Sequence, residues 1–139
     1  MKRDALAVAG EPIDLSRIHQ PLYDVSAEDD HIAPWRQTFK INGYVTSPKR
    51  FVLSSSGHIL GIVNPPVQPP KRKYWVGPAH RGQSANHWRA GSEERPGTWW
   101  DDWIPWLEEH CGTPGAPPSL ATAEFPALAD APGSYVLED

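Results

Sequence analysis

Phe51-Val52-Leu53-Ser54-Ser55-Ser56-Gly57-His58-Ile59-Leu60-Gly61-Ile62-Val63-Asn64-Pro65-Pro66 carries the clearest signals of regular structure in the chain. An apolar run ends in small residues and a glycine, a histidine follows on the turn, and Pro-Pro soon stops regular structure. That is the pattern of a buried strand carrying an imidazole at its exit. Upstream, Pro21-Leu22-Tyr23-Asp24-Val25-Ser26 reads as a second strand running into Ala27-Glu28-Asp29-Asp30-His31. Residues 34–41 between them, Pro34-Trp35-Arg36-Gln37-Thr38-Phe39-Lys40-Ile41, read as a short helix with proline at its first position, where the missing N–H costs nothing. Strand, acid-bearing loop, helix, strand and histidine-bearing turn make a βαβ unit, which predicts a parallel pair with a right-handed crossover. Functional groups of open α/β sheets gather beyond the carboxyl ends of the strands. Asp30 and His58 both fall there, and an acid and an imidazole are two members of a nucleophile–His–acid triad.

The rest of the chain is less regular in sequence. Leu6-Ala7-Val8-Ala9-Gly10 and Ile13-Asp14-Leu15, separated by Glu11-Pro12, fit two brief strands or a strand and a loop. Residues 64–97 read as irregular, with prolines at 65, 66, 69, 70, 78 and 96; so long a loop is usually functional or disordered. Residues 98–111 read as a helix closed by Gly112, with Thr98 as N-cap and acids in the first turn. Trp99, Trp103, Trp106 and His110 share one of its faces, and Pro105 is expected to kink or split it. A core-facing role suits Trp99, Trp100, Trp103 and Trp106 better than a polymer-binding platform. The Pro/Ala-rich segment that follows ends in a possible short strand at Tyr135-Val136-Leu137.

Composition bounds the partners. The 139 residues allow one modest domain, and 16 prolines with 11 glycines make much of it loop. A net charge of −4 argues against nucleic acid, which needs clustered Lys and Arg. The basic run Lys71-Arg72-Lys73 is the exception; it suits a solvated loop better than a phosphate-binding one. Cys111 is the single cysteine, so there is no disulfide within the chain and a reducing compartment fits. Neither a signal peptide nor a run of ~20 apolar residues is seen, and the expected setting is cytoplasmic. His80, His87, His110 and Cys111 have no metal-ligand spacing.

Three motifs occur in order: Asp29-Asp30-His31-Ile32-Ala33-Pro34-Trp35, Gly57-His58-Ile59-Leu60-Gly61-Ile62-Val63-Asn64-Pro65-Pro66, and Pro96-Gly97-Thr98-Trp99-Trp100-Asp101-Asp102-Trp103. Together they resemble the carboxyl-terminal part of class I polyhydroxyalkanoate (PHA, PHB) synthases, from about Leu6 to Pro132-Gly133-Ser134-Tyr135-Val136. Val-Asn-Pro-Pro after the histidine, with Tyr74-Trp75 beyond it, is far more specific than a bare Gly-His. The resemblance implies the last strands and helices of an α/β-hydrolase fold, with residues 1–112 in the catalytic domain and 113–139 as a tail. It implies an acyltransferase that polymerises (R)-3-hydroxyacyl groups from coenzyme A thioesters and releases coenzyme A. Coenzyme A is then part of the substrate, and no cofactor is implied. The expected setting is the polyester granule surface, as a homodimer or associated with a synthase. By motif match the triad acid is Asp30 and the general base His58.

Such enzymes resemble one another in a Gly-x-Cys-x-Gly nucleophile elbow. These 139 residues contain neither that motif nor Gly-x-Ser-x-Gly, and Cys111 lies in Glu109-His110-Cys111-Gly112 at a helix end. The expectation is a chain with the acid and base but not the nucleophile, with an incomplete sheet and no activity alone. Other readings stand beside it: a polyester depolymerase or esterase of the same fold, a non-catalytic partner of a synthase or granule, or a gene relic.

Overall fold

The computed structural model describes residues 7–138. A hairpin of β1 (Ala7–Val8) and β2 (Glu11–Pro12) opens it. Its turn residues Ala9 and Gly10 both have positive φ, which the twist of a two-residue hairpin requires. The second strand therefore falls on the Glu-Pro that the sequence reading took as a separator. Ile13-Asp14-Leu15 is no strand; Asp14 caps a 3-10 turn, Leu15–Arg17, by accepting from the Ser16 amide. Leu6 lies outside the described residues.

Next come β3 (Leu22–Ala27), α1 (Trp35–Thr38), β4 (Lys49–Ser54), α2 (Leu60–Val63), β5 (Lys73–Pro78), α3 (Ala85–Gly91), β6 (Glu93–Pro96) and α4 (Trp100–His110). The four longer strands form one sheet in the order β3-β4-β5-β6. The pairing β3·β4 is parallel, as the βαβ reading requires, with Leu22 opposite Lys49 and Ala27 opposite Ser54. The pairings β4·β5 and β5·β6 are antiparallel, so the sheet is mixed and not a set of parallel strands. Pro34 is the N-cap of α1 and not its first residue, and a 3-10 stretch, Phe39–Gly43, continues the helix.

The sheet is covered on both faces, which explains its continuous apolar runs. Phe51, Leu53 and Trp75 pack with Trp35, Phe39, Ala79 and Trp88, joining α1 and α3 to one face. Val52, Tyr74 and Val76 pack with Trp99 on the other face, with Tyr23, Val25, Trp100 and Trp103 at the margin. The α4 tryptophans are thus core-facing. Trp106 meets Tyr23 at a ring separation of 5.2 Å and stacks on His110 at 4.3 Å. Pro105 does not split the helix, and Gly112, at φ +74°, follows its end.

Residues 64–97 are not one irregular loop; they hold β5, α3 and β6. Periodicity conceals these elements because each is short and none shows a clear apolar repeat. In β5 the apolar run Tyr74-Trp75-Val76 is buried on both faces, whereas α3 buries only Trp88. Ser84 caps α3 by accepting from the His87 amide at 3.2 Å. Tyr135–Leu137 is an exposed 3-10 turn and not a strand, since among the described residues no strand pairs with it.

Asp24 on the edge strand β3 lies opposite Phe51 in register. Burial pushes its carboxyl pKa up to about 6, and no hydrogen bond to it is found among the described residues. A folded-state value above the unfolded one means the ionised form is the costly one. Its contribution is most favourable below the unfolded value near ~3.9 and is lost as pH rises through the folded value. Asp24→Asn is expected to stabilise the chain by roughly 2 kcal/mol at neutral pH and to be neutral near pH 4. Urea titrations at both pH values check this; equal effects at the two would count against it.

Candidate functional site

The two loops beyond the parallel pair are joined by their own backbone. The Glu28 amide donates to the Ser54 carbonyl at 2.8 Å and the Asp29 amide to the Ser56 carbonyl at 3.0 Å. This continues the β3·β4 ladder past the strand ends and brings the acid loop against the histidine turn. Ser56 adopts a positive φ of 89°, an unusual conformation for a residue with a side chain, directly before Gly57-His58.

At that junction His58 Nδ1 lies 2.8 Å from Asp30 Oδ2. The other carboxylate oxygen, Oδ1, accepts from the Ile32 amide at 2.9 Å and the Ala33 amide at 2.8 Å. The Ala33 amide, then the hydrogen bond with His58, hold the Asp30 carboxyl below the usual carboxylate range, against the opposing effect of burial. Asp30 therefore stays an anion at neutral pH. Its side chain is only 5% exposed, whereas that of His58 is 46% exposed. The acid is fixed inside and the imidazole reaches outward. With Nδ1 donating to a carboxylate, neutral His58 keeps Nε2 as a free acceptor, which is what a general base requires. No hydrogen bond to Nε2 is found among the described residues.

The sequence reading paired Asp30 with His58, and the structure brings the two together. It did not find the residues that hold the turn. Asn64, in the left-handed region at φ 31°, is buried and donates from Nδ2 to Ser54 Oγ at 3.1 Å. That bond closes the neck of the segment carrying His58. Gly61 is required where it stands: a Cβ there would lie 2.4 Å from Ala27 Cβ. Trp99 Nε1 donates to the Ile62 carbonyl at 3.0 Å. The signal for Asn64 was present, since Asn is the common non-glycine residue for a left-handed helix end and Pro-Pro follows it. Nothing local signalled Trp99, whose bond spans 37 positions.

The surroundings are apolar. Ile32, Ile59, Leu60 and Val63, which flank Asp30 and His58 in the chain, are all more than half exposed. His31 is exposed, and the carboxylate bonded to His58 is that of Asp30 and not that of its neighbour Asp29. Lys73 belongs to β5, and its ammonium pairs with Glu94 at 3.2 Å and lies over the Trp75 ring. It lines a cleft of about 440 Å³ with Lys71, Arg72, Ser55 and Glu94. Among the described residues no group of three or more His, Cys, Asp or Glu side chains is placed to hold a metal ion. Among them, too, no helix is long and apolar enough to cross a membrane.

No family model matches the chain. Among curated proteins it is similar to the poly(3-hydroxyalkanoate) polymerase subunit PhaC of Cupriavidus necator, with 39% identity over 132 residues, 94% of this chain and 22% of the relative. Poly(3-hydroxyalkanoate) polymerase 2 of Ectopseudomonas oleovorans is 35% identical over 133 residues, 95% of this chain and 23% of the relative. The poly(3-hydroxyalkanoate) polymerase of Methylorubrum extorquens is 39% identical over 127 residues, 89% of this chain and 20% of the relative. The chain thus spans about a fifth of the length of these relatives.

Proposed function

From the premise that this chain belongs to the poly(3-hydroxyalkanoate) polymerase family, we propose that it supplies the acid and base of a polyester-forming acyltransferase. The single observation that carries the reading is the Asp30–His58 pair at 2.8 Å, with the outward nitrogen of the imidazole unengaged among the described residues. The fold assigned by this reading is the closing part of an α/β-hydrolase domain. The substrates are (R)-3-hydroxyacyl-CoA and the growing polyester, handled at the surface of a cytoplasmic granule. No cofactor takes part, since coenzyme A enters as the leaving group.

In this reading His58 Nε2 takes the proton of a cysteine thiol carried outside these 139 residues. The thiolate attacks the thioester carbonyl, the acyl group moves to the cysteine sulfur, and coenzyme A leaves with a proton returned by the imidazole. The 3-hydroxyl of an acyl unit then attacks the acyl-enzyme carbonyl, an ester bond forms as the carbon–sulfur bond breaks, and the cysteine leaves as a thiol with the hydroxyl's proton passed to it by the imidazole. His58 removes that proton too, because Asp30 has both oxygens engaged: one by two amides, the other by His58 itself. Throughout, Asp30 holds the ring and stabilises the imidazolium. The exposed aliphatic side chains beside the pair suit an acyl substrate or the apolar surface of a completing polypeptide.

The test is complementation. The chain is purified alone and also co-expressed with the part of the Cupriavidus necator polymerase that it does not span. Coenzyme A release from 3-hydroxybutyryl-CoA is followed in both. Release is expected only from the complemented pair. Turnover by the chain alone, or a well-formed complex without turnover, would overturn the proposal.

A further inference from the structure

Helix α2 begins two residues after His58 and is poorly held by apolar contacts. Among its four residues only Gly61 is buried, and Leu60, Ile62 and Val63 face solvent. So short a helix does not hold its shape by its own hydrogen bonds. Its position rests on the Gly61–Ala27 contact, on the Asn64–Ser54 bond, and on what its carbonyls meet. The last carbonyls of a helix have no partner within it. That of Ile62 is met by the indole N–H of Trp99 at 3.0 Å.

Trp99 is itself rigidly placed. It is 9% exposed, packed among Val52, Tyr74 and Val76, and in ring contact with Tyr23, Trp100 and Trp103. It immediately precedes α4, whose Asp102 is bonded to Tyr23 on β3, Arg50 on β4 and Arg95 on β6. The indole therefore ties the histidine turn to a helix anchored on three strands. Two other indoles behave differently: among the described residues no hydrogen-bond partner is found for the buried Nε1 atoms of Trp88 and Trp100, whereas Trp75 Nε1 donates to Glu94.

We propose that Trp99 is a positioning residue for His58: by bonding the Ile62 carbonyl it holds the turn at the height where the imidazole meets Asp30. This rests on the reading of the Asp30–His58 pair given above. The pair is intolerant of movement, because a displacement of about 1 Å takes a 2.8 Å contact out of hydrogen-bonding range.

The experiment reads the tautomer of His58 by ¹⁵N NMR on the 139-residue chain, at a pH where the imidazole is neutral. Wild type is expected to carry its proton on Nδ1, facing Asp30. Trp99→Phe removes the N–H and is expected to lower the Nδ1–H fraction by roughly half or more, toward the Nε2–H form that an unconstrained imidazole prefers. Should Trp99→Phe fail to fold, β-(3-benzothienyl)alanine at position 99 keeps the ring shape with sulfur in place of N–H. Trp100→Phe removes an indole N–H without a partner and is expected to leave the tautomer unchanged. If wild type lacks the Nδ1–H form, the acid–base pair itself fails, and the role of Trp99 with it. If wild type has it and the Trp99 variants keep it, or Trp100→Phe disturbs it equally, the pair stands and the inference about Trp99 is overturned.

Discussion

His58→Gln in the complemented polymerase is expected to lower the turnover number by on the order of 10²–10⁴-fold, the usual share of a general base. Glutamine keeps the bulk and can still reach a hydrogen-bond partner, but its amide takes up no proton at neutral pH. Asp30→Asn is expected to fall in the same range for a different reason. Ile32 and Ala33 still donate to the side-chain oxygen, so the remaining amide NH₂ faces Nδ1. An NH₂ there makes Nδ1 the acceptor and moves the imidazole proton to Nε2, where the base must be free. Both losses are expected in kcat with KM little changed, since neither group is proposed to bind ground-state substrate. Because Asp30 is held below the usual carboxylate range, it should stay ionised through the acid limb of the wild-type pH profile. Either variant retaining more than a tenth of wild-type turnover would remove the pair from the mechanism.

Asp102→Ala is expected to destabilise the chain by about 3 kcal/mol, with a fall in Tm of roughly 10 °C. The Asp102 side chain is only 5% exposed. Oδ2 accepts from Tyr23 Oη at 2.8 Å and from Arg50 Nε at 2.7 Å. Oδ1 accepts from Arg50 Nη2 and from Arg95 Nη1, the latter at 3.0 Å. Burial by itself would raise the carboxyl pKa; the bonds from Arg50 and Tyr23 and the charges of Arg50 and Arg95 outweigh it and hold the group low. Alanine leaves two guanidinium groups facing each other and a phenol without its acceptor. The cost is set at the lower end for a broken buried pair because the arginine side chains keep 31% and 37% exposure. A depressed folded-state value makes this stability present above the unfolded value near ~3.9 and lost as pH falls through the folded one. Wild type and variant should thus converge in acid, as read from urea unfolding. A difference below about 1 kcal/mol at pH 7 would show the network to be surface decoration.

Asp102 also shows where reading the chain residue by residue stops. In sequence it is one of two acids in a helix first turn, where a helix dipole accounts for it. Its neighbour Asp101 is exposed and fits that account; Asp102 is buried and binds residues 79 and 52 positions away. A rotation of 100° along the helix separates the two roles, and only the packing of α4 on the sheet decides which acid turns inward. The same holds for Trp99 against Trp100, adjacent indoles of which one has a hydrogen-bond partner and the other has none among the described residues.

What the sequence determined by itself was local and directional. Apolar runs that end in glycine, acid or histidine marked β3 and β4, and the helix between them required a parallel pair. A parallel pair has its strand exits at one end, so Asp30 and His58 had to be neighbours. Tertiary structure decided what depends on distant partners. The strands β5 and β6 exist because β4 offers an open edge, and their prolines lie where the pairing tolerates them, Pro78 and Pro96 at strand ends. The height of the histidine turn is set by Gly61 against Ala27, Asn64 on Ser54 and Trp99 on Ile62. Those contacts carry no periodic signature, because each depends on the full path of the chain between its two ends.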